Sequence, residues 1–121
     1  MNTRLIIAEV PADERKATFD KAVERTGIDG QIDKACTEMA EFIHAALDTR
    51  AAGVTYSWAF FEELGHVQLC IELILSRLEQ CPSESYGTLL NQTKYIREKR
   101  MRDWAEFEMV EHAKRKMREK Q

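Results

Sequence analysis

Two prolines, Pro11 and Pro82, and five glycines are the strong backbone punctuation that 121 residues carry, and neither type occurs after Gly87. A turn-rich all-β fold needs many more breaks than this, so the chain is expected to be all-α. The breaks predict four helices. The first runs from a cap at Asp13, just after Pro11, to about Gly27, and the second from about Gln31 to Thr49. The third starts at a Thr55 or Ser57 cap and reaches about Gln80. The fourth follows Cys81-Pro82-Ser83, with Ser83 as its cap, and runs from about Tyr86 nearly to the end, with a bend expected near Asn91. No repeat, low-complexity tract or long linker interrupts the pattern, so residues 1–121 read as a single domain.

Composition narrows the class further. Hydrophobic residues make up 44% of the chain and charged residues 32%, a globular balance. No apolar run approaches the ~20 residues that span a bilayer. Leu5-Ile6-Ile7 is too short for a signal-peptide core, so secretion is not expected. Cys36, Cys70 and Cys81 make an odd, sparse set, which fits reduced thiols and a cytoplasmic location. Charge is unevenly spread: residues 94–121 carry ten Lys/Arg against six Asp/Glu, and residues 1–93 eight against fifteen. An acidic body with a basic tail suits nucleic acid, or carboxylates and cations arranged around one phosphorylated small molecule.

The second predicted helix carries an apolar stripe, Ile32, Cys36, Met39, Ile43 and Leu47, at spacings of three and four. Glu38 and Glu41 are i, i+3 neighbours on a different face, and Ala45 continues their strip. In the third helix Phe61, Leu64, Gln68, Ile71 and Leu75 form one stripe, while Val67, Leu69, Cys70, Leu73 and Ile74 make most of the rest apolar. A helix apolar on nearly every side needs cover on nearly every side, which predicts a dimer whose interface uses it. Yet this helix also carries Glu62, Glu63, His66 and Glu72. Glu63, His66 and Cys70 fall within about 60° of one another on its wheel, and Glu72 points the opposite way. If the Glu63 face meets the Glu38/Glu41 face, three carboxylates and an imidazole converge, and in a dry interior they must hold a cation or meet water. Oxygen-rich clusters select hard divalent ions such as Mg²⁺ or Mn²⁺. The plain alternative is that Glu38 and Glu41 are solvated charges on an amphipathic helix.

These residues resemble a family. Glu38-Met39-Ala40-Glu41, entered through Ile28-Asp29-Gly30-Gln31-Ile32-Asp33, is similar to the E-x-x-E helix of the all-α MazG-like nucleoside triphosphate pyrophosphohydrolases, the short phage-type forms in particular. After a short loop, Glu62-Glu63-Leu64-Gly65-His66-Val67 stands where that family has E-E-L-x-D-V. The resemblance covers Gly27 to Leu78 and extends loosely over the C-terminal helix. It implies a four-helix MazG-like bundle completed by dimerisation, as a homodimer or tetramer. It implies cleavage of a nucleoside triphosphate between its α and β phosphates to a monophosphate and pyrophosphate, with Mg²⁺ as cofactor, in the host cytoplasm if the chain is phage-encoded. By position Glu38, Glu41, Glu63 and His66 would be metal ligands, and Glu62 a further ligand or the base that orients the attacking water. From the basic C-terminal helix, Lys94, Arg97, Lys99 and Arg100 would reach substrate phosphates.

Two positions depart from the family pattern. Thr37 stands where a second Glu often precedes the E-x-x-E, and His66 replaces the aspartate of E-x-x-D. A neutral imidazole is a softer donor without negative charge, so Mg²⁺ affinity should fall. Three outcomes follow: a site that favours Mn²⁺, one that works with fewer metals, or a degenerate site on a helical binding protein. His66 also opens a di-iron reading, with Glu63/His66 and Glu41/His44 as two E-x-x-H pairs, but His44 points about 120° from Glu38. The basic tail meets the minimal requirement for nucleic-acid binding, yet Asp103, Glu106, Glu108 and Glu111 interrupt it and no recognition motif is present, so nucleic acid is not the expected partner. Trp58, Phe60, Phe61 and Trp104 are available to stack on a base or to pack in an interface. Cys70 reads as a small packing residue.

Overall fold

A computed structural model describes residues 7–121, so Leu5 and Ile6 of the N-terminal apolar run lie outside the described residues. Among the described residues the chain is all-α apart from one small hairpin. Helix α1 spans Ala12–Ala51, α2 spans Trp58–Glu79 and α3 spans Leu89–Glu119, with strands β1 (Pro82–Ser83) and β2 (Gly87–Thr88) between α2 and α3. No helix is long and apolar enough to cross a membrane. Packing divides the chain into two compact units, the first ending at Arg77 and the second running Leu78–Gln121.

In the first unit, α1 is two helical arms joined at Gly27, whose φ of 75° and ψ of 162° are not helical. A residue with a Cβ is strained there, which is why glycine marks the break. The break is sharp. Gln31 Nε2 donates to the Ala22 carbonyl at 3.4 Å and to Thr26 Oγ1 at 2.7 Å, although nine residues of straight helix would separate positions 22 and 31 by about 13 Å. Gly30 lies at the closest approach, where an added Cβ would sit 2.9 Å from Thr26 Cβ. The predicted first and second helices are therefore these two arms, and the first arm is tied to α2 by the two-point Arg15–Glu72 ion pair. Asp13 falls inside the first turn rather than at its cap, which is Pro11. There it and Glu14 face the positive end of the helix dipole.

The second arm of α1 and α2 form an antiparallel hairpin. Ser57 caps α2 by accepting from the Phe60 N–H at 3.1 Å, and its hydroxyl also bonds the buried Thr49 hydroxyl at 2.7 Å. Phe42 meets Phe60 with ring centroids 5.2 Å apart, and Tyr56 and Phe61 extend the aromatic group. Which face of α1 turns inward is the unexpected result. Ala35 and Gln31 are buried and Glu38 is half-buried, whereas Ile32, Met39, Ile43 and Leu47 from the apolar stripe are exposed. On α2, Val67 and Leu73 are buried while Phe61, Leu64 and Ile71 are exposed. The single chain turns a mixed polar face inward and leaves apolar faces outward.

In the second unit, the segment expected to start a helix at Tyr86 forms a hairpin instead. Pro82 pairs with Thr88 and Ser83 with Gly87, and the Leu89 N–H donates to the Cys81 carbonyl at 3.0 Å. Ser83 is thus a strand residue, and α3 begins after Thr88, whose hydroxyl accepts from the Asn91 N–H. Helix α3 then runs without a break through Asn91, and every residue from Asn91 to Val110 is exposed.

Candidate metal site

Of the i, i+3 pair on α1, Glu38 meets the strip on α2 across the hairpin, while Glu41 is exposed and outside the converging group. Glu38, Glu63 and His66 each offer a ligand atom, and these atoms lie within 4.8 Å of one another. His66 Nδ1 is 3.5 Å from Glu38 Oε2 and 3.5 Å from Glu63 Oε2. Those two carboxylate oxygens are buried, and neither has a hydrogen-bond partner. A buried carboxylate oxygen normally accepts from an N–H or O–H, because leaving it bare costs the full desolvation of that group. The imidazole itself is about half exposed, with 49% of its side-chain surface open, so the cluster is reachable from solvent.

Glu41 stands one turn along α1 on the same strip. The charge of Glu38 is the main cause that raises its carboxyl above the ordinary value of 4.5, with partial desolvation and the charge of Glu63 adding to it. The Glu41 carboxyl thus feels both Glu38 and Glu63, a repulsion that a bound cation would relieve. Burial is the main cause that raises the Cys70 thiol, one turn beyond His66, and the charge of Glu38 works in the same direction. A thiol held protonated is a poor nucleophile, which fits its reading as a packing residue.

Beside the cluster runs an open groove of about 450 Å³, with Glu41 and Glu63 at its wall. Ala45, Ala52, Val54 and Ala59 give it an apolar lining, and His44 and Asp48 a polar rim. Its volume falls in the range of small-ligand clefts. His44 Nδ1 lies 3.1 Å from Asp48 Oδ2, so the second E-x-x-H histidine of the di-iron reading is engaged there, and the converging group contains one histidine. The groove was missed in the sequence, although Glu41, Ala45, Asp48 and Ala52 at spacings of three and four do mark its wall.

Of the other expected site residues, Glu62 is exposed on α2, one position before Glu63 and outside the converging group. Lys94, Arg97, Lys99 and Arg100 are exposed on α3 in the second unit, where Arg97 pairs with the adjacent Glu98. Searches of protein-family profiles, curated proteins and solved structures find no match to the chain.

Proposed function

We propose that the chain is a nucleoside triphosphate pyrophosphohydrolase that works with a divalent metal at Glu38, Glu63 and His66, cleaving its substrate between the α and β phosphates. The observation that carries this reading is the pair of buried, unpartnered oxygens, Glu38 Oε2 and Glu63 Oε2, gathered with an imidazole from two helices. Two such oxygens side by side oppose each other's charge, and a cation relieves this, either a bound metal ion or the protonated His66 that lies 3.5 Å from both. The donor set fits one: carboxylate oxygens suit Mg²⁺ or Mn²⁺, and the imidazole shifts the preference toward Mn²⁺. Glu41 would complete the set. When bound, the ion neutralises phosphate charge and acidifies a coordinated water.

The chain's own residues would do the rest. The alanine- and valine-lined groove suits the apolar face of a base, while the open side of the cluster admits the triphosphate. Glu62, in the position of the family's first glutamate of E-E-L, would orient the attacking water. The exposed apolar residues of α1 and α2 support assembly as a homodimer or tetramer, since such faces on one chain are covered in stable proteins.

The test is pyrophosphate release from a panel of nucleoside triphosphates with Mg²⁺ and with Mn²⁺, alongside calorimetry of metal binding. Release is expected with at least one ion, and His66→Asp should raise the Mg²⁺-dependent rate. Metal binding without release of pyrophosphate from any nucleotide would sink the enzyme and leave a nucleotide-binding scaffold.

A further inference from the structure

Helix α3 is 31 residues long and stands exposed along most of its length. Long helices in proteins draw most of their stability from packing one face, so such a helix implies a covering partner. Its sequence describes that partner. Leu89, Ile96, Asp103, Val110 and Met117 recur every seven residues, one of the two positions of a coiled-coil seam, and Phe107 is the apolar member of the other, which otherwise holds Thr93, Arg100 and Lys114. All five apolar members of this face are exposed, Met117 by 67%.

The charges along α3 fall into three blocks of nine. Residues 94–102 hold five Lys/Arg against Glu98 alone, and residues 103–111 hold four Asp/Glu and no Lys/Arg. Residues 112–120 again hold five Lys/Arg, against Glu119 alone. Two parallel copies would set each block against its like, which is repulsive. In an antiparallel pair with its two-fold axis at Asp103, each 94–102 block lies along the acidic block of the other copy, twice over by symmetry. The same axis sets Leu89 opposite Met117 and Ile96 opposite Val110. It also sets Arg100 opposite Glu106, within reach of Asp103 of the second copy. A polar residue in an apolar seam is a known way to fix register, and Asp103 sits at the centre of this one.

We infer that α3 is a self-association surface that pairs with α3 of a second copy in an antiparallel seam centred on Asp103. The occupant is a second copy because the helix carries both halves of the charge match; an acidic partner or a nucleic acid would meet the middle block as repulsion. This interface is independent of the metal site, and its test leaves Glu38, Glu63 and His66 untouched.

The experiment measures the mass of the full chain by sedimentation or light scattering. Asp103→Lys, Glu106→Lys and Glu108→Lys together make the whole seam basic and should halve the assembly mass. Adding Arg97→Glu, Arg100→Glu and Arg102→Glu should restore it, which also shows that the first variant failed by repulsion and not by misfolding. With Cys36, Cys70 and Cys81 replaced by serine, Asp103→Cys should cross-link to itself on oxidation, and Ile96→Cys should not. A monomeric wild-type chain, an unchanged mass in the triple variant, no recovery on swapping, or cross-linking at Ile96 and not at Asp103 would each overturn the proposal.

Discussion

In the first unit Glu38 and Glu63 each bury a carboxylate oxygen between helices, while Ile43, Leu47 and Phe61 stand exposed. On α3 the carboxylates Asp103, Glu106 and Glu108 and the apolar residues Ile96 and Phe107 are all exposed. The same residue types therefore pose different problems in the two places. Carboxylate oxygens buried side by side ask for a cation, because like charge is costly at short range. Exposed charges in alternating blocks ask for a surface of complementary pattern, because each is weak alone and gains only in register.

The contrast breaks most readily at the metal site. Glu63→Gln should cut divalent-metal affinity by at least about 100-fold, since even outer partners of metal ligands are worth about 10–100-fold. In metal-free buffer the same change should leave the fold intact or firmer, because it removes one of three mutually repelling carboxylates. Calorimetry and thermal melts with and without Mn²⁺ measure both. Unchanged metal affinity would reduce the cluster to ordinary surface charge.

Backbone geometry comes next. Gly30→Ala should destabilise the first unit by about 1–3 kcal/mol through overpacking against Thr26. Gly27→Ala should cost about 1–3 kcal/mol through its φ of 75° and ψ of 162°. Urea unfolding is the measurement, and a neutral result for both would mean that the two arms of α1 are not held at this angle. Thr49→Val removes the hydroxyl shared with Ser57 and should cost about 0.5–1.5 kcal/mol.

The smallest effect is a pH dependence. The Glu41 carboxyl holds its proton more tightly in the folded chain, chiefly because of Glu38. Its ionisation therefore opposes folding, and stability attributable to it falls as pH rises from about 4.5 upward. Glu41→Gln should gain stability relative to wild type as pH climbs from 4 to 7 in chelator, and the gap should close when Mn²⁺ is added. A gap that is flat, or that widens toward acid, would place Glu41 away from the other carboxylates.

Much of this was readable in the sequence. The end of the first helix near Gly27, a cap at Thr55 or Ser57, and Glu63 and His66 on one face follow from rules that act within one helix or one turn, whereas their meeting with Glu38 depended on which faces pack. The hairpin at 82–88 was not readable, because two-residue strands have no period to detect and Ser83 fits a helix cap as well as a strand. Nor was the groove, which exists only where the Glu41 strip of α1 faces the start of α2.

The sequence by itself determined the break near Gly27 and which residues share a face, since glycine and side-chain spacing constrain the backbone locally. The tertiary structure alone decided which face turned inward. On α1 the mixed face of Gln31, Ala35, Glu38 and Thr49 took that place over Ile32, Met39, Ile43 and Leu47. The physical reason is that burial is a property of two surfaces at once, and no single helix carries the shape and charge of the one it will meet.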